Sequence, residues 1–293
     1  MKKINHVSFL RKTVRLLSLS QLLLQIYFHL YDVFKGRTKT LTFKSQKVAV
    51  YINNYEKIRM VHAAFRPGPR DESRVLGSLL EVLRQGDTVY DIGAGYGLHT
   101  LFLAKYVGET GRVVAVEPES QNHCQLLKNI EINHLRNVIL IRLAFGDRFE
   151  TKMLDKTRTA GSGGFTLIET HKREKGEDVA VVLGDAIAQE RNLPLPRAIK
   201  IDVEGYEYQV LQGLKSILSK ASCVMICCEL HLSHYPKKSN ESCILDLLNS
   251  MGFPRIETYK RGSEIHALCW KSPGNISRGK ISLRREYFLG EAS

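Results

Sequence analysis

The sequence predicts an α/β protein with a Rossmann-like, doubly wound and mostly parallel sheet of seven strands. Three observations support this fold class. Short apolar runs of strand length alternate with amphipathic helical segments. A glycine-rich turn joins the first of these strands to a helix, and acidic residues follow several strands. Because strands that alternate with helices pair in parallel through right-handed crossovers, the sheet is expected to carry helices on both faces.

The individual elements follow from the same patterns. Five core strands are predicted at Thr88–Asp91, Arg112–Val116, Asn137–Leu143, Ala198–Ile201 and Cys223–Cys228. The runs Pro254–Tyr259 and Ile265–Trp270 predict an antiparallel pair that closes the sheet. Between the third and fourth core strands, about 148–185, the alternation stops. Two short runs there, Thr166–Glu169 and Val179–Leu183, predict an inserted hairpin.

Three segments are expected along the chain. Residues 1–46 are a basic N-terminal helical extension, 47–270 the main domain and 271–293 a C-terminal tail. The extension contains an uncharged apolar run from Leu16 to Tyr31, which is shorter than the about 20 residues that span a bilayer. A helix packed on the domain, a peripheral membrane contact through residues 1–34 and a true anchor therefore all remain open.

The net charge of +13 is concentrated at the two ends of the chain. Residues 1–50 contribute ten Lys and Arg against one Asp, and residues 255–293 contribute eight against four Glu. The part between them is balanced. A neutral core with basic ends is typical of attraction to an anionic surface or polymer at the periphery, although a solvated face explains the C-terminal share equally well.

The six cysteines do not form a pattern typical of a zinc site or a disulfide framework. Several lie within apolar runs, where a free cysteine behaves as a small hydrophobic side chain. The expectation is a reduced, cytoplasmic protein, for which peripheral contact with a membrane surface is one option.

The glycine turn indicates an adenosine-type cofactor. Asp91 ends the first core strand and is followed by Gly93, Gly95 and Gly97, which allow positive φ and close approach of a ligand. The helix that begins there offers free backbone N–H groups. A dinucleotide fingerprint requires a third glycine at position 98, where this chain has Leu98. The spacing instead looks like the first motif of class I S-adenosylmethionine-dependent methyltransferases.

Acidic residues at the carboxyl ends of successive strands outline the expected site. Glu117, before Pro118, is suited to accept hydrogen bonds from both hydroxyls of a ribose. Asp147, after the third strand, is placed to meet an adenine edge. Asp202 and Glu229 end the next two strands and face the transferred group.

Two further motifs make the resemblance specific. They are the block Lys200-Ile-Asp-Val-Glu-Gly-Tyr-Glu207 and Cys228-Glu-Leu-His231 after the next strand. Together with the glycine turn they resemble the FkbM family of methyltransferases over residues 72–270, with Gly95 where that family usually has Asn. The resemblance implies S-adenosylmethionine as cofactor and methylation of a hydroxyl on a carbohydrate, glycolipid or similar small acceptor.

The site residues expected on these grounds fall into two sets. The residues expected to bind the cofactor are Asp91, Gly93, Ala94, Gly95, Gly97, Glu117, Pro118, Phe145, Gly146, Asp147 and Asp202. The candidates for the base that accepts the hydroxyl proton are His231, Asp202, Glu204 and Glu229, and His231 has the most suitable unperturbed pKa.

Three alternatives complete the expectations. No metal site is expected, although carboxylates at adjacent strand ends are able to hold a divalent cation. An RNA acceptor, bound through the basic ends, is the second functional hypothesis, but nucleic acid is disfavoured because no basic and aromatic interleaving is visible. A scaffold protein that retains the fold is disfavoured by the five strand-end acids.

Overall fold

The fold is described from a computed structural model. It covers residues 23, 26 and 30 and the ranges 37–53, 55–68, 71–155, 166–168, 176–231, 241–261 and 264–271. Most of the predicted N-terminal extension and nearly all of the predicted tail lie outside these residues. Statements below concern the described part of the chain.

Thirteen strands and eight helices are described within these ranges. The strands are β1 (Thr38–Phe43), β2 (Gln46–Tyr51), β3 (Thr88–Ile92), β4 (Arg112–Val116), β5 (Val138–Ile141), β6 (Ala144–Gly146), β7 (Glu150–Asp155), β8 (Thr166–Ile168), β9 (Gly176–Leu183), β10 (Ala198–Ile201), β11 (Met225–Leu230), β12 (Arg255–Arg261) and β13 (Glu264–Trp270). The helices are α1 (Tyr55–Ala63), α2 (Ser73–Val82), α3 (Leu98–Val107), α4 (Ser120–Ile132), α5 (Gly184–Glu190), α6 (Glu207–Gly213), α7 (Lys215–Ser219) and α8 (Glu241–Ser250).

The seven-stranded sheet has the order β12-β13-β11-β10-β3-β4-β5. The five strands from β11 to β5 are parallel, whereas β13 is antiparallel to both β11 and β12. This confirms the predicted doubly wound sheet and its closing antiparallel pair. The strand order reverses between β3 and β10, so ligands are expected to bind at the carboxyl ends of these two strands.

The central strands are apolar because helices cover both of their faces. Every residue of β3, β10 and β11 is buried. Parallel strands covered on both faces read as continuous apolar runs rather than as an alternation, which is why the sequence located these strands well. A charged residue inside such a strand therefore needs a partner, and Lys200 in β10 is the main example.

The insertion between β5 and β10 differs from the predicted hairpin. Strands β6 to β9 form a separate four-stranded sheet in the order β6-β9-β7-β8. The two predicted strands, β8 and β9, are not paired with each other. Each instead lies antiparallel to β7, a strand that the polar residues 150–155 did not indicate. The predicted hairpin was therefore wrong in its pairing, because half-exposed strands carry little local apolar signal.

The β1–β2 hairpin extends the folded unit back into the segment that was expected to be helical. Thr38 of β1 pairs with Tyr51 of β2 in antiparallel register. The hairpin is fixed to α4, since the Tyr51 N–H donates to Asn129 Oδ1 (2.8 Å) and the Ala49 N–H donates to Oδ1 of Asn133, the residue after α4 (2.7 Å). Residues 38–46 are therefore part of the main unit.

Two further expectations concern the whole chain. No helix among the described residues is long and apolar enough to cross a membrane. All six cysteines are free, and four of them, Cys223, Cys227, Cys228 and Cys269, are buried in the apolar core. The absence of a cysteine pair agrees with the expectation drawn from their spacing.

Candidate active site

The glycine turn after β3 is forced into its conformation by the neighbouring strand. Gly93 has φ +76°, and a Cβ placed on it would collide with the backbone carbonyl of Asp202 at the end of β10. Gly95 also has positive φ, at +56°, but a Cβ there would meet nothing within 4 Å. The turn is thus tightly packed at Gly93 and open at Gly95, so a ligand is able to approach the backbone at Gly95.

Glu117 links this turn to the end of β4. Its Oε2 accepts a hydrogen bond from the Gly95 N–H (2.7 Å) and its Oε1 accepts one from the Glu119 N–H (2.9 Å). Burial raises the pKa of Glu117 to about 7, even though both backbone donors favour the ionised form. A carboxylate offers about four acceptor positions, so two remain for hydroxyl groups of a ligand.

Lys200 joins the carboxylates of the two central strands. Its Nζ lies 3.5 Å from Asp91 Oδ1 and 3.2 Å from Asp202 Oδ2. Burial opposes the lysine charge, but the two carboxylates outweigh that effect and raise the pKa of Lys200. Asp202 is partly buried, which opposes its charge, yet Lys200 and His231 lower its pKa to about 2. The three groups therefore form a charged, fixed floor beneath the glycine turn.

A cavity opens above this floor, at the switch point of the sheet. Eight residues predicted for the site line it, namely Gly93, Ala94, Gly95, Glu117, Pro118, Phe145, Asp202 and Glu204. They come from four separate chain segments, after β3, β4, β5 and β10. The structure thus brings together most of the predicted cofactor residues in one wall.

Four predicted cofactor residues lie outside the cavity wall. Asp91 is fully buried behind the turn, where Oδ2 accepts the Thr100 hydroxyl (2.6 Å). Gly97 and Gly146 are packed against neighbouring side chains. Asp147 forms an ion pair with the neighbouring Arg148 (3.1 Å), and its place at an adenine edge stays a prediction.

His231, the preferred candidate for the base, is held inside the protein. Its Nδ1 lies 2.8 Å from Glu207 Oε1, and neither His231 nor Glu207 lines the cavity. Burial lowers the pKa of His231. The hydrogen bond with Glu207 and the charge of Asp202 outweigh that effect and raise the pKa to about 10. An imidazole with that pKa is protonated at neutral pH, so the geometry argues against its predicted role as the base.

Glu229, another candidate, faces the closing pair rather than the cavity. Arg261 of β12 donates from one guanidinium nitrogen to both of its oxygens, at 3.0 and 3.1 Å. The same guanidinium contacts Glu72 at 2.8 Å, and Glu72 does line the cavity. Burial and the nearby Asp202 raise the pKa of Glu229 to about 10. Glu229 therefore acts within a buried ionic network.

Glu204 is the candidate whose backbone is strained. It has φ +55°, which is uncommon for a residue with a side chain, and Gly205 follows with φ +98°. Its carboxylate lines the cavity, and burial raises its pKa to about 8. Unusual backbone conformations occur preferentially at functional sites, so the strained backbone supports a functional role for Glu204.

Several cavity residues were not predicted from the sequence. They are Met60, Glu72, Leu98, Asn122, Leu143, Leu154, Lys200, Val203 and Tyr206, together with apolar strand ends. For Lys200 a signal existed, because a lysine inside an apolar strand needs a buried anionic partner. For Glu72 none existed, since its partner Arg261 is distant in sequence.

The residues present fit the expected cofactor. The open space over Gly95 and the free acceptor positions of Glu117 suit a ribose, and the exposed face of the turn suits the rest of an adenosine-type ligand. A parallel sheet in this order, with this turn and this carboxylate at its switch point, defines a class I methyltransferase domain that uses S-adenosylmethionine. Residues 91–254, which are 164 of the 293, match the family described as "Methyltransferase FkbM domain". The chain belongs to the FkbM methyltransferase family.

Individual relatives are more distant. The chain is 26% identical over 170 residues to a protein of Haloferax volcanii named hexuronic acid methyltransferase AglP, an alignment that covers 57% of this chain and 66% of the relative. It therefore spans just under two thirds of the relative's length.

Solved structures with a similar arrangement include an S-adenosylmethionine-dependent O-methyltransferase from Thermotoga maritima, with 17% identity and a TM-score of 0.42 over 84% of this chain and 82% of that one. A second is an rRNA methylase from Streptococcus thermophilus, with 14% identity and a TM-score of 0.42 over 68% and 95%. At these scores neither structure informs the choice of acceptor.

Proposed function

We propose that this protein transfers a methyl group from S-adenosylmethionine to a hydroxyl group of a carbohydrate-containing acceptor. The observation that carries the proposal is the set of acidic side chains in one wall of the cavity. Glu72, Asp202 and Glu204 line that wall. The curated relative, whose name states that it acts on a hexuronic acid, supports a sugar as the acceptor.

The cofactor would be held on the glycine-turn side of the cavity. The Gly95 backbone and Glu117 would hold its ribose, and Asp202 would face its charged end. When bound, S-adenosylmethionine supplies an activated methyl group on a positively charged sulfur. The residues of this chain supply orientation and a charged environment, because the fixed Lys200–Asp202 pair cannot rearrange easily.

The charge of the wall favours a hydroxyl over a carboxylate as the acceptor. Among the described residues that line the cavity, four are acidic and Lys200 is the only lysine or arginine. A carboxylate acceptor would find no cationic partner there, because Lys200 is already paired with Asp91 and Asp202, whereas sugar hydroxyls donate hydrogen bonds to carboxylates. The acidic wall therefore supports formation of a methyl ether rather than a methyl ester.

Glu204 is our proposed proton acceptor. Of the four candidates, Asp202 and Glu204 line the cavity, whereas Glu229 and His231 do not. Asp202 is committed to Lys200, with its Oδ2 3.2 Å from the lysine Nζ. Glu204 is on the same wall, with its Oε2 3.5 Å from His231 Nε2, and it is placed to take the hydroxyl proton in its ionised fraction, which grows as the pH rises through about 8, the pKa to which burial raises this carboxyl.

The proposal is tested with S-adenosylmethionine labelled in its methyl group. The purified protein is offered neutral sugar glycosides, hexuronic acid glycosides and total RNA. Label in an alkali-stable methyl ether of a sugar is the expected result. Label in an alkali-labile ester, or in RNA alone, would overturn it. Glu204→Gln is expected to lower the rate at least ~10²-fold with cofactor affinity unchanged, whereas Glu190→Gln, an exposed carboxylate on α5, serves as the matched control.

We further propose that the N-terminal segment contacts a membrane surface. Leu23, Ile26 and Leu30 are helical and exposed, at 57%, 47% and 48% of their surface. Their spacing of three and four residues places them on one helix face. Five basic residues precede them, at positions 2, 3, 11, 12 and 15. Co-sedimentation with anionic vesicles, lost in a Leu23, Ile26 and Leu30 to Ser triple variant, would support the contact, and binding that the variant leaves unchanged would exclude it.

A further inference from the structure

A cluster of carboxylates and histidines lies where β10, β11 and β13 meet, beside the cavity. We name it the carboxylate–histidine cluster, and its members are Asp202, Glu229, His231, Glu264 and His266. The Nε2 of His231 lies 3.5 Å from Glu204 Oε2 and also faces three carboxylates of the cluster, with Asp202 Oδ1 at 3.8 Å, Glu229 Oε1 at 3.8 Å and Glu264 Oε1 at 3.9 Å. These separations are too long for hydrogen bonds.

The separations match those of ligands that share one ion. Two ligand atoms that each lie about 2.1 Å from a tetrahedral metal ion are about 3.4 Å from each other, and those of a larger coordination shell extend further. One nitrogen or oxygen atom from each of Asp202, Glu229 and His231 lies within 4.8 Å of the other two. The three atoms therefore surround a space of the size that a divalent ion requires.

The outer contact of His231 is that of a metal ligand. Its Nδ1 pairs with the fully buried Glu207, which also accepts the Gly205 N–H (2.9 Å). Metal-binding histidines usually donate one ring N–H to a carboxylate, and that bond aims the other nitrogen at the ion. In this protein the second nitrogen of His231 points into the cluster.

His266 provides an independent observation. Its side chain is 2% exposed, and its Nε2 has no hydrogen-bond partner among the described residues. That nitrogen lies 3.5 Å from Glu229 Oε1. A buried ring nitrogen without a partner is costly, and it is satisfied if it binds an ion that Glu229 also binds.

We propose that this cluster binds one divalent ion of a first-row transition metal through Asp202, Glu229 and His231, with His266, which forms a second such group with Glu229 and Glu264, as the neighbouring ligand on the Glu229 side. Two imidazoles with two carboxylates favour such an ion over magnesium or calcium, which prefer oxygen ligands alone. The charge around the cluster agrees, because five acidic side chains surround it, whereas the two permanent cations there, Lys200 and Arg261, contact only three of them among the described residues. The five are Asp202, Glu204, Glu207, Glu229 and Glu264. An ion would replace the proton on the Nε2 of His231.

The site revises the expectation, drawn from the sequence, that no metal is bound. If the proposed methyl transfer also holds, an ion at this place would lie beside the cavity wall and lower the pKa of an acceptor hydroxyl that reached it. The binding of the ion itself does not depend on that reaction, and it is measured without cofactor or acceptor.

The test is titration of the chelator-treated, full-length protein with MnCl₂ or ZnCl₂. Binding is measured by calorimetry and, for Mn²⁺, by the loss of the electron paramagnetic resonance signal of the free ion. About one ion per chain is expected. His266→Phe and Glu229→Gln are each expected to weaken binding by at least ~10-fold. The matched control is Glu257→Gln, a carboxylate on β12 that pairs with Arg255 and is expected to bind as the wild type does.

Two results would overturn the site. One is a folded wild-type protein that takes up neither ion, and the other is uptake that both cluster variants leave unchanged. Circular dichroism reports the folding of each variant. If Glu229→Gln is unfolded, His266→Phe alone decides, since it removes a neutral ring rather than a paired charge. Cofactor binding, followed separately in the same protein, distinguishes failure of this site from failure of the methyltransferase proposal.

Discussion

His231 Nδ1 and Glu207 Oε1 lie 2.8 Å apart in the interior, one at the end of β11 and the other at the start of α6. This charged hydrogen bond joins α6, the helix that follows β10, to the end of β11. It also shows that the last residue of the Lys200–Glu207 block and the last of Cys228–His231 belong to one structural unit.

Removing one partner of this pair should destabilise the fold. Glu207→Ala leaves the His231 ring and the Gly205 N–H buried without an acceptor, so we expect a loss of about 3–5 kcal/mol in the free energy of unfolding. Glu207→Gln retains an acceptor oxygen and should cost less. Urea denaturation of both variants measures the difference, and equal losses would show that the hydrogen bond to Glu207 is not the stabilising contact.

Binding of the cofactor should depend on pH through Glu117. Burial raises the pKa of Glu117 to about 7, so the carboxyl is largely protonated below that pH and ionised above it. Because the ionised form is the better acceptor for ribose hydroxyls, affinity for S-adenosylmethionine should rise as the pH increases from 6 to 8. Calorimetry at several pH values checks this.

Glu117→Gln is the control for that dependence. The variant should bind more weakly at every pH, and its affinity should be nearly constant between pH 6 and 8. If the affinity of the variant for S-adenosylmethionine still rises with pH as that of the wild type does, a group other than Glu117 is responsible for the pH dependence.

Gly93→Ala should disrupt the turn. The added Cβ would collide with the Asp202 carbonyl, and the backbone is already at φ +76°. We expect a loss of about 3 kcal/mol or more. Gly77→Ala, within α2, is the matched control because its Cβ would make an ordinary contact 3.9 Å from Phe43. It should be neutral or stabilising by up to about 1 kcal/mol. Thermal denaturation compares the two, and similar melting temperatures would contradict the steric argument.

Asn129 should prove important for the hairpin. Its side chain is fully buried, accepts from the Tyr51 N–H (2.8 Å) and donates to the Tyr96 carbonyl (2.7 Å). Asn129→Ala leaves both backbone groups unpaired, at an expected cost of about 2–4 kcal/mol. Hydrogen exchange at the Tyr51 amide should accelerate. Asn249→Ala, on the exposed side of α8, should change neither quantity.

The parts of the fold that the sequence predicted well are those whose signal is local. The strands β3, β4, β10 and β11 are apolar runs, and the turn at Gly93 has its own spacing, so each was recognised without knowledge of its neighbours. The closing pair β12–β13 was predicted for the same reason. Most of the predicted cofactor residues that line the cavity were predicted from the glycine turn and from acidic residues at strand ends.

What the sequence did not predict depends on contacts between distant residues. The direction in which an acid at a strand end points is set by the cation that it meets, and Arg261 draws Glu229 away from the cavity. Lys200 draws Asp202 onto the floor of the site. His231 was judged by its unperturbed pKa, whereas its partner Glu207 lies on a different element. The strand β7 went unrecognised because its residues are only partly buried.

The left-handed backbone at Glu204 sets two requirements of this protein against each other. Glu204 has φ +55°, and the left-handed conformation costs an L-residue about 1–2 kcal/mol that glycine does not lose. Glycine would relieve the strain and would also remove the carboxylate from the cavity. A screen for thermal stability alone would therefore favour loss of the acid at this position, so variants recovered in such a screen with Glu204 replaced should be more robust and less active.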